Sequence, residues 1–225
     1  MSFNFDGVDD LVIRDASVTL GAIISVSAWI KPDTFGENDS GAVWQQDSQS
    51  DVSRLALRIL DNKLGVTAKG FGFGAARSTT DGRWSSPINV IVPGAWHHLA
   101  ATYDGSSTAN NAQLYLNGLA VTTTRSLAPV GTLNADNKLI HIGNNGPIAA
   151  RTFDGLIGEV AHWMRLLSAE EIAAVYLLGV NAVPDYGDYT PFDSGRSQAF
   201  GAGTYTVTGA LAGENPPVQP AGRCG

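Results

Sequence analysis

Hydrophobic and polar positions alternate with a period of two along most of this chain, and the clearest run spans Gly94 to Thr124. Trp96 to Tyr103 reads as a strand with both faces apolar enough for burial, with Trp96, His98, Ala100 and Thr102 on one face and His97, Leu99, Ala101 and Tyr103 on the other. Such a strand belongs at the centre of a sheet. After a polar loop, Gln113 to Leu116 and Leu119 to Thr123 flank Asn117-Gly118, a pair suited to the positive φ angles of a two-residue hairpin turn. Upstream, Phe3 to Phe5 and Asp10 to Val12 form short strands around Asp6-Gly7. Ile23 to Lys31 alternates as a half-buried strand that Pro32-Asp33 ends. Ala42 to Gln46, Ser53 to Leu60 and Lys63 to Ala68 follow, the last two predicted to form a hairpin at Asp61-Asn62. Leu139 to Ile142 and Phe153 to Trp163 continue the strand pattern.

The period then changes. Ser168 with Glu171 makes a capping box, Ile172, Val175 and Tyr176 give a helix its apolar face, and Gly179 is placed to end it. This short helix is expected across the mouth of the sandwich. From Asn181 turns and prolines dominate, with one late strand at Thr204 to Thr208 and a Pro/Gly-rich tail. The expected organisation is a sandwich over 1–180 and a C-terminal extension over 181–225.

With 225 residues and 44% hydrophobic content, the chain can form one large β-sandwich that buries about 70 to 75% of its unfolded surface. Cys224 is the only cysteine, which excludes an internal disulfide and a cysteine-based metal site but not a bridge between chains. A net charge of −7 without basic clusters argues against nucleic acid and anionic membranes. The opening MSFNFDGVDD lacks the basic start and apolar run of a secretory signal, so a chain made in the cytoplasm is expected. The most apolar long window, Ala161 to Val183, is interrupted by Arg165, Glu170, Glu171 and Gly179.

The stretch Lys69 to Ser86 is rich in glycine and serine yet carries Phe71, Phe73, Arg77 and Trp84. Aromatic faces beside an arginine can stack on a sugar ring, so these four, with Asn144 and Asn145, are the candidate ligand-binding residues, and Trp44 is a further aromatic of that kind. The competing expectation is that the aromatics are core and the glycines make turns. Gly70, Gly72 and Gly74 lack the strand-to-helix context of a nucleotide loop.

FDGVDDLV at Phe5 to Val12, ISVSAWIKP at Ile24 to Pro32, GAWHHLAATYDG at Gly94 to Gly105, LYLNG at Leu114 to Gly118 and FDGLIGEVAHWMRLLSAEEI at Phe153 to Ile172 together carry a resemblance. In that order they are similar to a laminin-G-like domain of the concanavalin A-like lectin and glucanase superfamily. The resemblance implies an all-β fold, a jelly-roll sandwich of two antiparallel sheets that binds carbohydrate or protein on a concave face or at rim loops and often holds calcium. Relatives often have an acidic residue where this chain has Gly158. Asp6, Asp9, Asp10, Asp154 and Glu159 remain as candidate Ca²⁺ ligands if the first and late strands lie side by side; the alternative is that they cap turns.

Catalysis is not expected. A retaining glycosidase needs two carboxyls about 5 Å apart across the bond it cleaves, and no strand here carries acidic residues at alternate positions. Glu159 stands alone, and Glu170 with Glu171 opens the helix. His97 and His98, adjacent on a strand, point to opposite faces and cannot chelate together; no serine sits in a nucleophile elbow. A domain of an extracellular type without a secretion signal suggests a virion surface component, such as a phage capsid decoration, head-fibre or tail protein, that self-associates or contacts other virion subunits. The alternative is a free-standing carbohydrate-binding lectin, and a glycoside hydrolase is the remote third reading.

Overall fold

The computed structural model describes residues 2–14, 16–37, 40–47, 55–60, 69–134, 137–145, 151–186, 188–190, 205–209 and 211–213. Its strands are β1 (Ser2–Asp6), β2 (Leu11–Arg14), β3 (Val18–Thr19), β4 (Ile23–Pro32), β5 (Ala42–Asp47), β6 (Leu55–Leu60), β7 (Gly70–Ala75), β8 (Gly82–Ser85) and β9 (His97–Asp104). They continue with β10 (Gln113–Leu116), β11 (Leu119–Ala120), β12 (Thr124–Leu127), β13 (Asn137–Ile142) and β14 (Asp154–Trp163). The helix α1 (Ala169–Leu178) and a 3₁₀ turn at Val180–Ala182 precede β15 (Asp188–Thr190), β16 (Tyr205–Thr208) and β17 (Leu211–Gly213).

Among the described residues these strands make two antiparallel sheets. The first has eight strands, in the order β11-β10-β9-β4-β14-β1-β17 with β15 also on β14. The second has nine, in the order β12-β8-β7-β6-β5-β13-β2-β16 with β3 on β13. The core lies between them. Ile24, Val26, Ala28 and Ile30 from the first sheet meet Trp44, Leu57, Phe71, Phe73 and Ile142 from the second, the expected product of period-two alternation on two facing sheets. As predicted, β9 is central, flanked by β4 and β10, and Asn117 (φ 50) and Gly118 (φ 79) turn the chain between β10 and β11.

The half-buried reading of β4 is corrected, because Ser25, Ser27 and Trp29 on its other face are buried too. The helix covers them: it packs on the outer face of the first sheet rather than across the mouth. Small residues make the close approach possible. Ala100 and Ala161, the register partners of Ser27 on either side, share a second apolar cluster with Trp163, Ile172 and Val175. The Ser25 hydroxyl donates to the Arg165 carbonyl at 2.7 Å and accepts the Leu167 amide at 2.8 Å. Arg165 in turn holds Glu171 at 2.6 Å and Asp185 at 2.6 Å. The Ser168–Glu171 capping box forms as its spacing predicts.

Two further expectations change. The turn Asp61-Asn62 and the strand Lys63 to Ala68 lie outside the described residues, and the observed antiparallel partners of β6 are β5 and β7. The boundary at 180 does not divide the fold, since β15 and β17 join the first sheet and β16 the second. The Pro-rich segment after Gly213 lies outside the described residues. No helix among those described is long and apolar enough to cross a membrane.

Candidate functional site

The residues with the most chemistry gather at one end of the sandwich, where the segments joining β1 to β2, β4 to β5 and β13 to β14 meet. Thr152 ties them: its hydroxyl donates to the Val8 carbonyl at 3.0 Å and its carbonyl accepts the Glu37 amide at 2.9 Å. The Glu37 carboxylate accepts the Arg151 amide at 2.9 Å. Gly143, at φ 84, starts the third segment, and a Cβ there would overlap the Phe5 ring, so the segment folds down onto the core only because the residue is glycine.

On this rim Asp6, Asp9 and Asp10 each present a carboxylate oxygen within 4.8 Å of the others. The local sequence DGVDD makes this possible. Asp10 Oδ2 accepts the Asp6 amide at 2.7 Å, and Asp6 Oδ1 accepts the Val8 amide at 2.9 Å, which closes a tight turn with the acids on one side. Burial raises the Asp10 pKa, and the charges of Asp6 and Asp9 add to that rise against the lowering effect of the Asp6 amide. Ligands of one Ca²⁺ ion sit about 2.3–2.6 Å from the metal, so two of them lie at most about 5 Å apart. The trio fits that limit, and its hard oxygen donors suit calcium.

The first and late strands do lie side by side, with Asp6 in register with Asp154. Asp154 nevertheless stays outside the converging set: its side chain packs against Gly7 of the turn and its Oδ2 accepts the Thr34 hydroxyl at 2.6 Å. Glu159 is not part of the set. It sits five positions further along β14, roughly 16 Å away at strand spacing. There it occupies a β-bulge, with φ 45 and a register shift between Gly158 and Ala161. Of the five expected calcium ligands the structure brings three together.

Asn144 and Asn145 belong to the same rim. They are only 1% and 2% exposed. The Asn145 amide donates to Asn144 Oδ1 at 2.6 Å, and Asn145 Oδ1 accepts from Arg58 Nη2 at 3.1 Å. The same Arg58 nitrogen reaches Gln45 Oε1 at 3.0 Å. Arg58 and Gln45 were not among the sequence-based candidates. Their signal is nonetheless present: in LALRIL the alternate residues Leu55, Leu57 and Ile59 are core, which sends the lone arginine to the opposite face.

The proposed aromatic platform is corrected. Phe71, Phe73 and Trp84 are 0%, 2% and 1% exposed, and Trp44 is equally buried. A stacking surface needs an open face, and these rings have none. In GFGFGA every phenylalanine points inward and every glycine outward, so the stretch is sheet rather than binding loop. Trp84 packs 4.8 Å from the Tyr103 ring. Arg77 lies at the other end of the sandwich, near Asp104, which pairs with the first residue of β4. Its Nη2 donates to the Tyr103 hydroxyl at 2.8 Å and the Gly105 carbonyl at 2.7 Å, and its Nη1 to the Gly131 carbonyl at 3.0 Å. It staples loops and does not face the rim.

Two facing antiparallel sheets with polar loops gathered at one end define a lectin-type sandwich. The chain belongs to the concanavalin A-like lectin/glucanases superfamily, whose family model matches residues 5–173. No curated protein matches it. Among solved structures it is similar to a Bacteroides ovatus protein assigned to carbohydrate binding, with a TM-score of 0.65 and 20% identity over 93% of this chain and 58% of the other. The heptameric SAP-like pentraxin of Limulus polyphemus gives a TM-score of 0.59 and 16% identity over 78% of this chain and 81% of that one. Domain 4 of a GH43 extracellular arabinanase from Geobacillus stearothermophilus, in complex with arabinotriose, gives 0.53 and 19% over 77% and 75%. At these identities the likeness is one of fold.

Proposed function

We propose that this chain is a non-catalytic carbohydrate-binding module whose ligand docks on the rim, against Asp6, Asp9 and Arg58, with Asn145 accepting from Arg58 and Asn144 holding the Asn145 amide. The observation that carries this reading is the Arg58 bridge between Gln45 and Asn145, at the same end of the sandwich as the converging carboxylates. Donors and acceptors are thereby fixed in place before a ligand arrives, which lowers the ordering cost of binding. Sugar hydroxyls both donate and accept, so a mixed set of guanidinium and carboxylate groups complements them. The carbohydrate-binding fold relatives point the same way.

Calcium is compatible with the rim. Asp6, Asp9 and Asp10 would hold the ion, which when bound would offer coordination positions to ligand hydroxyls. Hydrolysis is disfavoured, because those carboxylates share one tight turn instead of facing each other across a cleft. The virion-surface reading draws no support from the fold or its relatives and ranks below glycan binding.

The test is a glycan array probed with the full-length chain and with Asp9→Ala and Arg58→Ala variants. Binding that falls about tenfold or more in both folded variants, the equivalent of about 1.4 kcal/mol, is the expected result. A silent array from folded wild-type protein would overturn the assignment.

A further inference from the structure

One edge of the first sheet is open. β11 ends that sheet, with β10 on one side and no strand among those described on the other. The Val121 amide donates to the Leu114 carbonyl at 3.0 Å, which turns the peptide groups of Val121 toward β10. In an antiparallel ladder the neighbouring residue turns its own groups the other way. Ala120 therefore presents its N–H and C=O to the open side, where neither has a partner among the described residues. Leu119 is out of keeping with its position. It is in register with Leu116 and stands two residues before Val121, so the three share one face of the sheet, and Leu116 and Val121 pack against the core. Leu119 is nevertheless 72% exposed.

Soluble sandwiches blunt such edges with charge, proline or a bulge. β12, which follows β11 in the chain and ends the second sheet, has both Arg125 and a register shift between Arg125 and Leu127. β11 has none of these devices: Leu119 to Thr123, LAVTT, is uncharged and rich in β-branched residues. The charge pattern around it is also distinctive. Of the 21 acidic residues none falls between Asp104 and Asp136, the longest such gap in the chain, and Arg125 is the only basic residue inside it. On a chain of net charge −7 this segment adds no carboxylate to repel an approaching body of the same charge. Its border is apolar. The Tyr176 ring lies against Gly118, and Leu177 and Leu178, which follow at the end of α1, are 45% and 58% exposed.

We propose that β11 is the seat of a homodimer, in which the edges Leu119 to Thr122 of two copies pair antiparallel about a two-fold axis and join their first sheets into one. A strand edge is complementary to itself in that arrangement, because the outward N–H of each copy meets the outward C=O of the other. The pairing satisfies the peptide groups of Ala120, covers Leu119 and sets the two acid-free segments against each other. A basic partner would be steered to the carboxylates elsewhere on the surface, and this edge offers it none. The contact uses none of the rim residues, so it does not depend on glycan binding.

The test is sedimentation of the full-length chain over a range of concentrations, under reducing conditions that exclude a Cys224 bridge, with Leu119→Lys and Ala120→Pro variants in parallel. Leu119→Lys puts a charge on the edge at an exposed position. Ala120→Pro removes the outward amide without touching the ladder to β10. The wild-type mass is expected to rise from 23.6 kDa toward twice that value with concentration, and each folded variant to weaken the association about tenfold or more. A wild type that keeps the mass of one chain at every concentration would overturn the proposal, whatever the variants do. Association unchanged in folded Leu119→Lys would place the contact elsewhere and overturn it too, even if Ala120→Pro fails to fold.

Discussion

The backbone of Gly209 lies directly against Oδ1 of Asp10, at a φ of 78 that favours glycine. The crossover from β16 to β17 therefore stacks on the crossover from β1 to β2, and each pair of strands spans both sheets. A methyl group at 209 would meet the carboxylate and strain the backbone. Gly209→Ala is expected to cost about 1–3 kcal/mol, measured as a lower urea midpoint. A midpoint equal to wild type would show that the two crossovers do not pack as described.

Removing Arg77 leaves a buried phenol and the carbonyls of Gly105 and Gly131 without their donor. Arg77→Ala is expected to destabilise by about 3 kcal/mol or more. Arg77→Lys should recover only part of that, because one ammonium cannot reach three separated acceptors. Denaturant titration of the three proteins checks the order.

Acid should weaken the fold well above the carboxylate range. Burial holds His98 and His162 to a pKa of about 3, with Arg14 adding to the effect on His162. Between that value and about 6.5 the unfolded chain binds protons that the native state refuses, so stability falls as pH falls through this window. Each histidine contributes a slope of up to about 1.4 kcal/mol per pH unit. His98→Phe should flatten the profile between pH 4 and 6, and an unchanged slope would mean that His98 titrates normally.

Glu159 carries the opposite sign. Burial raises its pKa even though the Val180 amide opposes the shift, so the native state holds the proton more tightly and stability is lost as pH rises above about 4.5. Glu159→Gln is expected to melt higher than wild type at pH 7 and to lose that advantage near pH 4. Scanning calorimetry at the two pH values decides it.

Calcium should act through the turn at Asp6 to Asp10. At a hundredfold excess over its Kd a bound ion adds about 2.7 kcal/mol. Millimolar calcium is therefore expected to raise the melting temperature by several degrees, chelator to reverse the rise and Asp9→Ala to abolish it. A midpoint indifferent to calcium would remove the ion from the rim.

What could be read from the residues was what neighbours in sequence decide. The turn at Asn117-Gly118, the central run His97 to Tyr103 and the Ser168–Glu171 cap depend on local geometry and were legible. The cover over β4 was not, because Ser25 and Arg165 meet across 140 residues. The converging trio Asp6, Asp9 and Asp10 is local and was legible, whereas register decided the other two acids: only pairing brings Asp154 beside Asp6, and only a bulge and distance take Glu159 away. Phe71 and Trp84 looked like a binding surface because glycines surrounded them, although alternating glycines also let every ring face inward. The late strand at Thr204 to Thr208 was legible as β16, but its place in the sandwich and the whole of β17 were not, because such short strands gain their pairing from edges formed by β1 and β2 near the chain's start.

The buried guanidinium of Arg77 gathers its loops from inside the fold, whereas Arg58 sits among side chains at the opposite end. One end is thus clamped by contacts to main-chain carbonyls, which persist whatever side chains those loop residues carry. The other depends on the identities of Asp6, Asp9, Asp10, Gln45 and Asn145. A lineage exploring new ligands could rewrite those few positions while the distant clamp kept the scaffold closed, so variation in specificity should concentrate at the Arg58 end.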